Sequence, residues 1–458
     1  MHLLLALLLA ASPDAMARID KDVRAVLQRT GTPGASVLVI QDGKRLVSQA
    51  YGFRQLAGKL PARTDTAYEI GSITKQFTAA AILQLRNAGK LDLDAKVSTY
   101  LPGVPHAAEV TLRQLLTHTS GLPDYIGLSS DEQVTKPATF EQLMAVVAGK
   151  PLDFAPGSRA SYSNTGYIIL GRLIELESHE TYRHYIRTHL LAPAGMTKAY
   201  TVSDEPSLRD MAKGYRHVKG KLQRGLTIHE SYGWSAGNLV MSAGELEKWN
   251  EALTGGKIVP PADYALMATP QPTTDGGSSS YGFGLAIDSV DGQPRIGHTG
   301  GSYGFTAANF YFTGQKLRII VLTNNADNPE PGEIVANAVF EDLYPDLASA
   351  ASRPASGEDL PITERAKRGF DYLQKGAGDL SLFGASLEAK MKAGLSTRMS
   401  KEFGPYGAPE TFIFKGRRLE SGKSWFDYLV RFGPGSMLKF SAALDGDGKI
   451  VSFGFNTF

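Results

Sequence analysis

The stretch from Pro345 to Pro361, PDLASAASRPASGEDLP, does most to limit what this chain can fold into. It is built largely of proline and small residues and has no sustained apolar period, so it reads as a linker rather than a core element. The 458 residues therefore divide into a large folding unit before it and a small one after it. With 42% hydrophobic and 21% charged residues, both units can bury a core, and disorder, collagen and coiled coil do not fit. A net charge of +2 is too near balance for a protein that tracks phosphate backbones, so no nucleic-acid partner is expected. The absence of cysteine removes disulfides, thiolate metal sites, iron–sulfur clusters and a cysteine nucleophile.

At the N-terminus, Leu3 to Ala11 is a short apolar run followed by Ala15-Met16-Ala17, the small-x-small pattern of a secretory cleavage site. Residues 1–17 are expected to be a signal peptide, and the run is too short to span a bilayer. No later apolar run is long enough to do so. The expected organisation is thus 1–17 signal, 18–345 large domain, 346–361 linker and 362–458 small domain, in a secreted or periplasmic protein without a membrane span after signal removal.

Ala35–Ile40 and Arg45–Tyr51 read as strands joined at Asp42-Gly43, which supplies the positive φ angles of a tight hairpin. Apolar residues recur at helical spacing from Ile73 to Asn87 around Ala79-Ala80-Ala81. Further helices are predicted at 111–118, 139–148, 165–177, 181–191 and 243–253, the last opened by the capping-box pattern Ser242-Ala-Gly-Glu245. Strands fill 281–324, with turns expected at Asp291-Gly292, Gly300-Gly301 and Thr313-Gly314, and an antiparallel sheet fits them better than a parallel one. The fold class is α/β (α+β), with helices around an antiparallel sheet. The small domain reads as two helices over 362–394 and a four-stranded meander near 411–416, 424–432, 437–444 and 449–457, an α+β unit whose Trp425, Phe426, Tyr428 and Phe432 are expected in its core.

Ser72-Ile73-Thr74-Lys75 opens the predicted helix, and the i, i+3 spacing puts the serine and the lysine on one face, one turn apart. A lysine beside a serine hydroxyl can take its proton if a desolvated or positively crowded site lowers its pKa. Ser436-Met-Leu-Lys439 has the same spacing on a predicted strand, where positions i and i+3 point to opposite faces. Two further motifs follow in order: Tyr162-Ser163-Asn164 and His298-Thr299-Gly300.

With these three motifs in this order, the sequence resembles the serine β-lactamase-like superfamily, in the branch of class C β-lactamases, serine D-Ala-D-Ala carboxypeptidases, D-amino-acid peptidases and related esterases. The resemblance covers roughly residues 20–345 and includes Leu115-Leu-Thr-His-Thr-Ser-Gly-Leu122 and Ser235-Ala-Gly-Asn238. It implies an antiparallel sheet flanked by helices plus an all-helical region. It also implies that Ser72 is the acylated nucleophile, Lys75 assists its deprotonation, and Tyr162 acts as phenolate or proton shuttle. Asn164, His298, Thr299, Gly300 and Gly301 would bind substrate, with the N–H groups of Ser72 and Gly301 as the oxyanion hole. His298 stands where typical class C β-lactamases carry lysine, which turns the expectation toward D-Ala-D-Ala carboxypeptidase or D-amino-acid peptidase activity. A β-lactamase, a carboxylesterase and a catalytically idle binding module for peptidoglycan or protein are the alternatives. His118 reads as structural. The partner is a small-molecule or peptide substrate, such as a peptidoglycan fragment or a β-lactam, and no metal or cofactor is expected. Gly233-Trp-Ser235-Ala-Gly237 and Gly300-Gly-Ser302-Tyr-Gly304 match the nucleophile elbow of α/β-hydrolases, but neither has the required strand before it and helix after it.

Overall fold

Asp42 and Gly43, with φ of 47° and 74°, turn the strand Gly34–Gln41 into Lys44–Gln55, so that Gln41 faces Lys44 across a two-residue loop. The positive φ at both central residues matches the right-handed twist of the flanking strands. This hairpin belongs to a seven-stranded sheet in the order Leu60–Pro61, Lys44–Gln55, Gly34–Gln41, Leu317–Thr323, Thr306–Phe312, Gln293–Gly301 and Ala286–Val290. Gly34–Gln41 and Leu317–Thr323 are buried almost throughout, as expected for central strands covered on both faces, and they run antiparallel with Ala35 opposite Thr323. The expected turn at Gly300-Gly301 is instead the end of a strand, because pairing continues to Gly301 opposite Thr306.

The computed structural model describes residues 13–208, 210–420 and 422–456. They form two compact units, one of Leu27–Asp288 and Pro294–Ala336, the other of the described part of Met1–Val26, Ser289–Gln293 and Asn337–Phe458. In the larger unit the helix Ala243–Thr254 packs on the two central strands. Asn250 and Asn309 exchange amide hydrogen bonds of 2.8 and 3.0 Å, and the buried Trp249 stacks on Phe77 with ring centroids 3.7 Å apart. The helices Thr74–Asn87, Asn164–Ser178 and Glu230–Gly237 pack on one another. A Cβ at Gly171 would lie 2.1 Å from Ser235 Oγ, so only glycine permits that approach. Ser235 is fully buried and its hydroxyl donates to the Tyr167 carbonyl at 2.9 Å, which makes it a packing residue and disposes of the elbow reading.

Among the described residues three capping boxes form, around Thr111, Ser130 and Thr139, all with glutamine at the third position. The one expected at Ser242 does not form. Glu245 instead meets the Lys198 N–H at 3.3 Å and the Lys248 ammonium at 2.6 Å.

In the smaller unit, Leu360–Lys375 and Ala385–Lys390 begin a helical layer over the meander Thr411–Glu420, Lys423–Arg431, Met437–Leu444 and Ile450–Asn456. Phe426, Tyr428 and Phe432 are buried as expected, whereas Trp425 falls on the alternate face with Arg418 over its ring. The first part of the expected linker is helical, Pro345–Ala351, because proline suits the first helical position and the alanines after it favour helix. The N-terminal helix Pro13–Arg29 buries Ile19, Val23 and Val26 on one stripe, and Arg18 donates to the Asp342 carbonyl at 2.9 Å. The expected cleavage point after Ala17 lies within this helix, while the run Leu3–Ala11 lies outside the described residues. Among the described residues no helix is long and apolar enough to cross a membrane.

Candidate active site

Ser72 sits in a single 3₁₀ turn, Gly71–Ile73, which leads into the helix Thr74–Asn87. Gly71 has a φ of 51°, and a Cβ there would lie 2.6 Å from the Gly301 carbonyl oxygen. Glycine therefore lets the serine turn and the strand Gln293–Gly301 meet. Gly300 is held as tightly, since its Cβ would stand 1.9 Å from the Ile70 carbonyl oxygen. Gly300→Ala is expected to pry strand and turn apart, lowering stability by about 1–3 kcal/mol and slowing catalysis. Urea unfolding and initial rates read this, and an unchanged midpoint with an unchanged rate would refute the packing.

Lys75 is fully buried one turn along, and its Nζ has three neighbours: Ser72 Oγ at 3.1 Å, Asn164 Oδ1 at 2.8 Å and the Ala236 carbonyl oxygen at 2.9 Å. A neutral amine has two N–H groups and one lone pair. The two carbonyl oxygens can only accept, so they take both N–H groups and leave the lone pair facing the serine hydroxyl. Burial drives the lysine pKa down to about 7, against an opposing pull from Asp124.

Asn164 is the first residue of the helix Asn164–Ser178, whose N-cap is Ser163. Its backbone N–H donates to Asp124 Oδ1 at 2.9 Å and its Nδ2 to Asp124 Oδ2 at 3.3 Å, which fixes the amide with its oxygen toward Lys75. Tyr162, just before this helix, is 45% exposed, while its hydroxyl is hydrogen-bonded to Ser72 and its ring centroid lies 4.8 Å from Lys75 Nζ. Desolvation of the hydroxyl pushes its pKa up, more than the Ser72 bond lowers it. Of the two roles expected from the sequence, phenolate or proton shuttle, burial favours the neutral hydroxyl of a shuttle.

His298 is buried, with Nδ1 on the Thr299 carbonyl oxygen and Nε2 at 2.8 Å from the Tyr281 hydroxyl. A carbonyl oxygen can only accept, so Nδ1 carries the proton and Nε2 accepts from the tyrosine. Burial and Lys75 depress its pKa to about 3. It is held as a neutral imidazole within the strand Gln293–Gly301. His118 also holds a structural place: its Nδ1 accepts the Ser163 N–H at 3.2 Å, and its ring lies 4.2 Å from that of Tyr162.

Ser72, Asn164, Ala236, Gly237, Gly301, Ser302, Tyr303 and Arg216 are among the residues lining a cleft of about 320 Å³. A larger hollow of about 870 Å³ lies in the small unit among Pro361, Arg365, Arg417 and Asp445, but its Ser424 accepts from Arg417 at 3.0 Å and has no such base. Reasoning from sequence missed Asp124, Ala236 and Tyr281. Asp124 stands two residues beyond the quoted segment ending at Leu122, and Ala236 lies inside Ser235–Asn238.

The sequence profile of the Beta-lactamase family matches residues 19–343. Penicillin-binding protein 4* of Bacillus subtilis is 29% identical over 343 residues, 71% of this chain and 76% of that protein. A D-aminopeptidase of Brucella anthropi is 30% identical over 313 residues, 67% of this chain and 59% of that protein. Among solved structures, a penicillin-binding protein homologue from Pyrococcus abyssi superposes with a TM-score of 0.65 at 24% identity, covering 96% of this chain and 95% of that one. D-amino acid amidase from Ochrobactrum anthropi gives a TM-score of 0.63 at 24% identity over 73% of this chain and 99% of that one. These two likenesses show the fold.

Proposed function

The chain belongs to the Beta-lactamase family of serine hydrolases, and from that premise we propose that it hydrolyses amide or ester carbonyls through an acyl-enzyme on Ser72, acting as a D-amino-acid peptidase or amidase. The observation that carries this reading is the placement of the Lys75 amine, 3.1 Å from Ser72 Oγ with two carbonyl oxygens on its other side. Neutral Lys75 accepts the serine proton as Oγ attacks the carbonyl carbon. The backbone N–H groups of Ser72 and Gly301 receive the negative charge that develops on the carbonyl oxygen. The Tyr162 hydroxyl protonates the departing nitrogen or oxygen, and the Lys75 ammonium returns a proton to it. Water then attacks the acyl-enzyme with Tyr162 and Lys75 taking its proton by the reverse path. Asn164, anchored by Asp124, keeps Lys75 in place.

The D-amino-acid preference draws on the D-aminopeptidase likeness. An extracytoplasmic site of action follows from the Leu3–Ala11 run and its small-x-small sequel. The test is intact mass after incubation with a fluorescent penicillin and, separately, with p-nitrophenyl acetate. A mass increase mapping to Ser72 with at least one of them is expected. An unmodified Ser72 and no turnover with either would overturn the acyl-enzyme and favour a binding module.

A further inference from the structure

The hairpin of Tyr215–Val218 and Lys221–Arg224 is seated on the chain that leaves Gly301. A Cβ on Gly214, just before the hairpin, would lie 2.7 Å from the Gly304 Cα, and one on Gly225, just after it, 2.1 Å from the Tyr303 carbonyl oxygen. Glycine at both ends therefore lets the hairpin come down on Tyr303 and Gly304. Side chains alternate along the first strand. On one face the Tyr215 hydroxyl accepts the Leu56 N–H at 2.8 Å, and His217 is held by Asp327, whose Oδ1 accepts its backbone N–H at 2.8 Å. Arg216, between them, takes the opposite face and lines the cleft that holds Ser72.

Among the described residues lining that cleft, Arg216 alone is charged. Its side chain is 28% exposed, and its Nη2 donates to Asp131 at 3.1 Å. The Asp131 side chain is 62% exposed, and an ion pair in that setting is held only weakly against water. A guanidinium carries five N–H donors in a planar fork, so one bond to Asp131 leaves it able to take a second carboxylate. Asp124, the acid nearest the catalytic groups, has both oxygens on Asn164. Ile126, Ile228, Ala236 and Ala326 give the cleft an apolar wall.

Tyr162, which in the acyl-enzyme reading protonates the leaving group, has ring neighbours at 4.2 Å in His118, 6.0 Å in His298 and 6.4 Å in Tyr281. None of these four lines the cleft, so the leaving group departs on their side and the cleft receives the acyl portion. Resting on that reading, we infer that Arg216 is a specificity-determining residue that selects substrates whose acyl portion bears a carboxylate over those bearing an ammonium there. The carboxylate gains charge-assisted N–H bonds, and the ammonium meets like charge. The substrate class is thus a D-amino-acid amide or peptide with an acidic group on the acyl side of the scissile carbonyl, rather than one with a free amino terminus.

The experiment compares kcat/KM for three D-alanine p-nitroanilides with one leaving group, N-capped by succinyl, succinamoyl or 4-aminobutyryl. These place an anion, a neutral amide and a cation at similar reach. The wild type is expected to favour the succinyl over the 4-aminobutyryl substrate by about tenfold or more, with the succinamoyl one between. Arg216→Gln removes the charge and should lower that ratio by about tenfold. The wild-type ratio should also shrink as ionic strength rises from about 0.01 to 1 M, because the Debye length falls from roughly 30 to 3 Å. This salt series reads the same contact if the glutamine variant fails to fold. Equal rates for the three, a preference for the ammonium, or a preference that survives Arg216→Gln or, where that variant does not fold, is unmoved by salt, would overturn the proposal while leaving the acyl-enzyme intact. An adduct at Ser72 with p-nitrophenyl acetate while no anilide is turned over would do the same. No turnover of any anilide together with no adduct at Ser72 would overturn both.

Discussion

Ser72→Ala is expected to lower hydrolysis of every amide or ester substrate by about 10⁴–10⁶-fold while the fold persists. The loss is this large because the serine oxygen is the atom that forms the covalent bond, and Lys75 and Tyr162 have no other group to act on. Removing the hydroxyl deletes one bond from Lys75 but leaves Asn164 and Ala236 as acceptors for its two N–H groups, so the buried amine stays satisfied. Circular dichroism and the unfolding midpoint should therefore change little. Progress curves at high enzyme concentration supply the rate. A variant retaining a tenth of the activity would place the nucleophile elsewhere.

Lys75→Arg is the second large effect, expected to slow acylation by about 10³–10⁴-fold even though the positive charge is kept. A guanidinium is not deprotonated at any working pH, so it has no lone pair for the serine proton. The wild type should show the complementary signature. Lys75, with its pKa lowered to about 7, is protonated and idle below that value and neutral above it. The rate constant for acylation should thus rise with pH, roughly tenfold per unit on the acid side, and level off above an apparent pKa near 7. Stopped-flow acylation between pH 5.5 and 9 reads the limb. A flat profile in the wild type, or an arginine variant that acylates normally, would show that Lys75 is not the base.

The parts of this site legible in the sequence are those set by local geometry. Ser72 and Lys75 face one another because the chain turns into a helix between them, and Tyr162 and Asn164 are presented together at the start of another. What the sequence conceals are partners brought together by long loops. Asp124 meets Asn164 across 40 residues and decides which way that amide points. His298 reads as a polar side chain beside the substrate; its neutrality follows from burial and from Lys75, and its Nε2 is taken by Tyr281, 17 residues earlier. The same limit applies to the fold. The Asp42-Gly43 hairpin is fixed by two residues, whereas the reading of Gly300-Gly301 as a turn fails because Thr306 extends the pairing by one more step. Ser242 has the right sequence for a capping box, and Glu245 is drawn off by Lys198 and Lys248.

The helix Pro13–Arg29 carries a consequence for how the protein is made. Arg18 and its partner Asp342 are 324 residues apart, and both belong to the smaller unit. At about 5–20 residues per second, a ribosome delivers the first roughly 20–60 s before the second. Throughout that interval the apolar stripe of Ile19 and Val23 has no Asn337–Phe458 segment to join, while most of the catalytic unit has already been synthesised. Docking of the helix Pro13–Arg29 therefore waits for the Asn337–Phe458 segment, and a truncation that removes that segment also orphans the helix.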